Sequence, residues 1–212
     1  MSTMFQNRVD AGRQLAELLA DLRGDPNAIV LGLPRGGVPV AAEVARAIGA
    51  PLDVLLVRKI GTPGRAELAM GAIASGDQIV LDHDLIRDFA VTERQVQQTI
   101  VREREVLYKR ERAYRGDRPF PELRGKTVVI VDDGLATGST MRVAIQAVMQ
   151  QAPGQIIVGV PVGSPDRVAM IDELVDRIEC VSSPRGFQAV GQWYQDFLPT
   201  SDADVIAALE NA

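Results

Sequence analysis

Cysteine and histidine are nearly absent from this 212-residue chain, which has one of each, Cys180 and His83. A lone thiol cannot close a disulfide within the chain, and one histidine with one cysteine supplies neither a Cys/His zinc cage nor several alternative bases for a Ser-His-Asp triad. Cys180, in an apolar segment, is expected to pack as a small hydrophobe, and His83, set between acids in DHDL, to be a loop or surface residue. Positive charge is not in excess either. With 23 Lys+Arg against 28 Asp+Glu the formal net charge is −5, which argues against a general nucleic-acid binder. No apolar run approaches bilayer length and Met1–Asp10 lacks a signal-peptide hydrophobic stretch, so a cytoplasmic location without a membrane partner is expected.

Hydrophobic residues make up 46% of the chain, enough for one sizeable core, and a single domain over residues 1–212 is expected. Val9, Leu15, Leu18, Leu19 and Leu22 recur at helical spacing and predict a helix from Arg8 to Leu22. AIVLGL (Ala28–Leu33), an alanine-rich helix (Val38–Ile48) and DVLLV (Asp53–Val57) make a βαβ unit. The same order returns in TVVIV (Thr127–Val131), a helix to about Gln151, QIIVGV (Gln155–Val160), a helix near Asp166–Val175 and RIECV (Arg177–Val181). Continuous Val/Ile runs imply strands covered on both faces. The fold class is therefore α/β: a Rossmann-like, doubly wound, mainly parallel sheet with flanking helices. Its core is expected at about 28–60 and 126–181, with an insertion at about 61–125 and a small hood at about 182–212. The insertion predicts a short strand pair around Met70–Leu81 and a charged helix from about Thr92 to Tyr114. In that helix Glu105–Lys109 and Glu111–Arg115 are spaced for i,i+4 pairing, so REREVLYKRERAYR reads as a solvated face in preference to a nucleic-acid patch.

VVIVDDGLATGST (Val128–Thr140) carries the chemistry. A strand delivers Asp132 and Asp133 at its carboxyl end, where parallel sheets bind ligands. The following helix start offers unpaired N–H groups, Gly138 admits a phosphate close to the main chain, and Thr137, Ser139 and Thr140 add hydroxyl donors. The two acids repel phosphate, so they call for sugar hydroxyls or a cation. A Walker loop is excluded by the absence of lysine after Gly138 and by the short glycine spacing, and the dinucleotide G-x-G-x-x-G pattern is missing.

This segment resembles the signature of the type I phosphoribosyltransferases: apolar strand residues, two acids, a short variable stretch, then Thr-Gly and a small hydroxyl residue. The resemblance implies that Asp132 and Asp133 hold the ribose hydroxyls of phosphoribosyl pyrophosphate (PRPP), reaching Mg²⁺ only indirectly, while Gly134 and the stretch Ala136, Thr137, Gly138, Ser139 and Thr140 wrap its 5′-phosphate. GLPRGG (Gly32–Gly37) is similar to the family's pyrophosphate loop and nominates Arg35, Gly36 and Gly37, although a plain tight turn explains so short a motif too. Arg58 and Lys59 are similar to a cationic pair that reaches pyrophosphate, with a surface cap as the other reading. TPGRAELAMGAI resembles a mobile flap in which Arg65 and Glu67 are brought in on closure, so Arg58, Lys59 and Glu67 are the catalytic candidates.

Transfer of the phosphoribosyl group to a nitrogen acceptor with release of pyrophosphate is the activity the resemblance implies, with Mg²⁺ as cofactor and a homodimer as the usual assembly. Hypoxanthine-guanine members carry an aspartate before Thr-Gly, and this chain has Ala136, so that base role does not transfer. The tail SSPRGFQAVGQWYQDF (Ser182–Phe197) concentrates aromatics in a chain where they are only 4%. Phe187 and Trp193 either stack on a small-molecule acceptor or pack the tail onto the core, and the sequence leaves both open. A non-catalytic PRPP or nucleotide sensor on the same fold is the alternative function.

Overall fold

The computed structural model describes residues 4–211. In chain order the elements are α1 (Arg8–Leu18), β1 (Ala28–Gly32), α2 (Gly37–Ile48), β2 (Leu52–Val54), β3 (Val57–Thr62), β4 (Arg65–Ala74), β5 (Gln78–Leu81), α3 (His83–Asp88), α4 (Glu93–Arg115), β6 (Thr127–Val131), α5 (Ser139–Met149), β7 (Gln155–Val162), α6 (Pro165–Asp172), β8 (Arg177–Ser182) and α7 (Asp202–Glu210).

The unbroken Val/Ile runs do form a parallel sheet, ordered β2-β1-β6-β7-β8, whose inner strands β1, β6 and β7 are buried on both sides while the edge strands β2 and β8 are largely half-buried. Alternation along β1 sends Ala28 and Val30 into a cluster with α1 and α2, and Ile29 and Leu31 into the cluster that holds Ala144, Ile145 and Val148 of α5. Because helices cover both faces, every position in β1 contributes to the core, at about 25 cal/mol per Å² of apolar surface removed from water. β1 runs through α2 to β2 on one side, while β6 lies on its other side and leads to β7 and β8. The carboxyl ends of β1 and β6 therefore flank the topological switch point.

A second, antiparallel sheet, β3-β4-β5, packs Ile60, Met70 and Ile73 against Val96, Ile100 and Leu107 of α4. Thr92 starts α4 with a capping box: its side chain accepts from Gln95 N–H, and the Gln95 side chain reaches back to the Thr92 N–H. The N-terminal segment and the tail meet in a fourth cluster, where Phe5, Ala11, Val162 and Tyr194 are buried. Phe5 N–H donates to Trp193 O and Gln195 N–H to Phe5 O, both at 2.8 Å.

Several sequence expectations need correction. DVLLV is not one strand: β2 ends at Val54 and β3 starts the second sheet at Val57. The break lies where Leu56 exchanges hydrogen bonds with Ser75 instead of with β1, so Arg58 and Lys59 sit inside an antiparallel strand and do not end a parallel one. The strand pair is a three-stranded sheet whose middle strand begins at Arg65. The first helix ends at Leu18 and gives way to a 3₁₀ turn over Ala20–Leu22, and α6 stops at Asp172. His83 opens α3, a short helix absent from the sequence reading, and is exposed there. The tail is more than a hood, since α7 sends Val205 and Leu209 into the α4 cluster. Nor is α4 wholly solvated. Arg115 is buried, bonded to Asp53 at 3.2 Å, Glu111 at 3.1 Å and Val54 O at 3.0 Å.

Candidate functional site

Two loops meet at the switch point. The first leaves β1 through Leu33, which is buried and donates its N–H to Val131 O at 2.9 Å, and turns at Pro34–Gly36 into α2. The second leaves β6 at Asp132, is pinned by buried Leu135, whose N–H donates to Val162 O at 2.8 Å, and enters α5 at Ser139. Leu33 and Leu135 share one core cluster, which fixes the loops to each other.

The glycines of the first loop are there for close approach. A Cβ on Gly36 would lie 2.0 Å from Asp133 Oδ2, and one on Gly37 would lie 2.7 Å from Val131 O and 2.8 Å from Asp132 Cα. At the other end Gly138 has φ +76°, a conformation that glycine adopts without a steric penalty, just before the first turn of α5. Ala136, Thr137, Ser139 and Thr140 are exposed beside it; Ser139 N–H donates to Thr137 Oγ1 at 3.3 Å, and Thr137 Oγ1 donates to Ser139 Oγ at 3.2 Å. This is an open helix start with backbone and hydroxyl donors, suited to an anion.

The acid pair is half-buried and held differently at its two members. Asp132 Oδ1 accepts the Asp133 N–H at 2.9 Å. Burial, with the neighbouring Asp133 charge behind it, pushes Asp132 well above the usual carboxylate range. Burial also raises Asp133, although the Arg8 guanidinium opposes the shift. Arg8 donates to Asp133 Oδ2 through Nε at 2.9 Å and approaches it through Nη2 at 2.8 Å. Tyr194 donates its hydroxyl to Asp133 O at 2.6 Å, and burial raises the pKa of that hydroxyl.

The other predicted residues are distributed unevenly. Arg35 is half exposed and 3.7 Å from Asp202 of α7. Arg58 points at α4, where its Nε and Nη2 donate to Glu103 Oε2 at 3.0 and 2.7 Å. Lys59 is exposed on the opposite face of β3, the face of Val57, which packs on the cluster under both loops. Glu67 is exposed near the β3–β4 turn and makes no ion pair among the described residues, while the Arg65 guanidinium lies 5.1 Å from the Phe89 ring centroid. Phe187 and Trp193 pack beside buried Phe5 and Tyr194, the arrangement expected of a tail docked on the core.

Arg8 and Tyr194 were missed by sequence reasoning. The one local signal is that Arg8 places a cation in the first turn of a helix, where the macrodipole disfavours it. Among the described residues no group of three or more His, Cys, Asp or Glu side chains that could hold a metal ion occurs; a magnesium ion near Asp132 and Asp133 would have to take most of its oxygens from phosphate and water.

A parallel sheet whose switch point carries an acid pair, a glycine turn and an open helix start defines an α/β protein with the kind of strand-end cleft that suits a phosphorylated ligand. Residues 3–194 match the phosphoribosyl transferase domain, and the chain belongs to that family. Two Mycobacterium tuberculosis proteins that carry phosphoribosyl transferase in their names, from strains CDC 1551 and H37Rv, are 44% identical to it over 213 residues, covering 99% of this chain and 47% of theirs. The chain thus spans about half the length of these relatives. The crystal structure of TT1426 from Thermus thermophilus superposes with a TM-score of 0.85 at 44% identity, covering 98% of both chains. Among the described residues no helix is long and apolar enough to cross a membrane.

Proposed function

We propose that this domain transfers the 5-phosphoribosyl group of PRPP to a nitrogen acceptor, a nucleobase or related heterocycle, with release of pyrophosphate and dependence on Mg²⁺. The observation that carries this reading is the opposition of the acid pair Asp132/Asp133 to the Gly36–Gly37 turn, a separation so small that a methyl group on Gly36 would fall 2.0 Å from a carboxylate oxygen. Asp132 and Asp133 accept from ribose hydroxyls, and the exposed helix start at Ala136–Thr140 takes the 5′-phosphate. The turn at Arg35–Gly37 offers its cation and backbone N–H groups to the pyrophosphate.

As the bond from C1 to pyrophosphate breaks, positive charge develops on the sugar and negative charge on the leaving group. Arg35 and Lys59 are exposed cations able to approach that charge. Arg58 must first leave Glu103. Mg²⁺, when bound, neutralises phosphate oxygens and lowers the cost of their departure. The acceptor is expected on the tail side of the cleft.

A 36% identity over 60 residues to the uracil phosphoribosyltransferase of Aquifex aeolicus, covering 28% of this chain and 29% of that one, makes pyrimidines the first acceptors to try. The sensor reading is kept alive by Arg58, whose engagement by Glu103 removes one expected pyrophosphate contact. The two separate in a ³¹P NMR experiment with PRPP, Mg²⁺ and pools of nucleobases and amines, with Asp132→Asn/Asp133→Asn as the control. Acceptor-dependent pyrophosphate release that disappears in the control supports transfer. Line broadening without turnover supports the sensor, and the absence of both effects refutes the loop assignment.

A further inference from the structure

Arg8 is the residue around which α1 and the Tyr194–Leu198 segment meet the acid pair. Its side chain is 12% exposed, and all three guanidinium nitrogens have a partner. Nε and Nη2 contact Asp133 Oδ2, Nη1 donates to Leu198 O at 2.8 Å, and the cation lies 4.0 Å from the Phe197 ring centroid. Phe197 is backed in turn by Tyr194, with ring centroids 4.9 Å apart, and Tyr194 bonds the Asp133 backbone carbonyl. Asp133 is thereby gripped at its side chain by the N-terminal helix and at its main chain by the tail.

The contact is one-sided. Both guanidinium donors fall on Oδ2, and no donor among the described residues reaches Asp133 Oδ1. A carboxylate clamped through one oxygen presents the other in a fixed direction, and a neighbouring cation offsets the repulsion between adjacent acids that both need to be ionised. Moving Arg8 away would break the Asp133, Leu198 and Phe197 contacts together.

We propose that Arg8 is a positioning residue for sugar recognition: by holding Asp133 Oδ2 it aims Oδ1 at a ribose hydroxyl and keeps the acid pair able to accept from the cis-diol. This rests on the phosphoribosyl reading above and adds a residue from outside the signature loop. It also makes α1 and the Tyr194–Leu198 segment part of the sugar site.

Calorimetric titration of the full chain with ribose 5-phosphate and with its 2,3-dideoxy counterpart, in the presence of Mg²⁺, tests it. A hydrogen bond to a charged group changes affinity on the order of tenfold or more, and the wild type is expected to prefer the diol by that factor. Arg8→Ala should lose most of the preference, whereas Arg8→Lys, which restores charge without the fork, should recover part of it. Loss of a contact that only stabilises the fold would leave the ratio of the two affinities unchanged. Wild-type discrimination persisting in Arg8→Ala, or tighter sugar binding in that variant, overturns the clamp and leaves the phosphoribosyl reading standing. A wild type that does not discriminate overturns both. If circular dichroism shows Arg8→Ala unfolded, Arg8→Lys decides: a preference equal to that of the wild type refutes the proposal.

Discussion

Gly36→Ala isolates the closest approach in the site. Gly36 has φ −62° and ψ −33°, ordinary values for alanine, so backbone strain contributes nothing. The added methyl would nevertheless sit 2.0 Å from Asp133 Oδ2 and 3.2 Å from Arg8 Nε. A non-bonded carbon and oxygen need roughly 3.2 Å or more, so carboxylate and turn must separate by about 1 Å. The shift pulls Asp133 from Arg8 and spoils contacts now at 2.8–2.9 Å. Overpacking of this kind costs about 1–3 kcal/mol. For a chain of this size 2 kcal/mol lowers Tm by about 4–8 °C. Differential scanning calorimetry measures the loss, and titration with ribose 5-phosphate should show weakening on the order of tenfold. Gly186, with nothing within 4 Å of an added Cβ, is the control, and its alanine variant should melt with the wild type. A Gly36→Ala protein that melts within a degree of wild type and binds as well would refute the geometry on which the site rests.

Asp132→Asn should raise stability at neutral pH while abolishing sugar binding. The folded-state pKa of Asp132 lies above its unfolded value, so its contribution to stability is full below the ordinary carboxylate range and is lost as pH rises through the folded pKa. Removing the charge is expected to raise Tm by a few degrees at pH 7, consistent with about 1 kcal/mol. The advantage over wild type should shrink on acidification, and melting curves across pH check both sign and window. Arg115→Met leaves Asp53 and Glu111 without their buried cation, a loss of about 3 kcal/mol or about 6–12 °C in Tm. Coincident urea and thermal measurements test it, and a loss under about 1 kcal/mol would mean that the carboxylates find water instead.

Local chemistry in the sequence determined four of the five parallel strands, β1, β6, β7 and β8, because strands inside a helix-covered parallel sheet are apolar at consecutive positions, as in TVVIV and QIIVGV. It also determined the acid pair and the helix start at Val128–Thr140, where all the necessary atoms lie within a dozen residues. The same logic located α4, whose Thr92 cap is written in adjacent letters. Cys180 packs on the main core as a half-buried thiol, and burial pushes its pKa up to about 11.

Only the tertiary structure decided what stands opposite those motifs. Arg58 reads as a strand-end cation until α4 brings Glu103 to it across 45 residues. Arg8 reads as one charge on an amphipathic helix until the fold carries it across 125 positions to Asp133. The division of DVLLV between two sheets depends on Ser75 meeting Leu56. A strand run or a phosphate cradle is specified by neighbours along the chain, whereas ion-pair partners, the exposed face of a β-strand and the contacts of two chain ends are set by packing between distant segments, which no local pattern encodes.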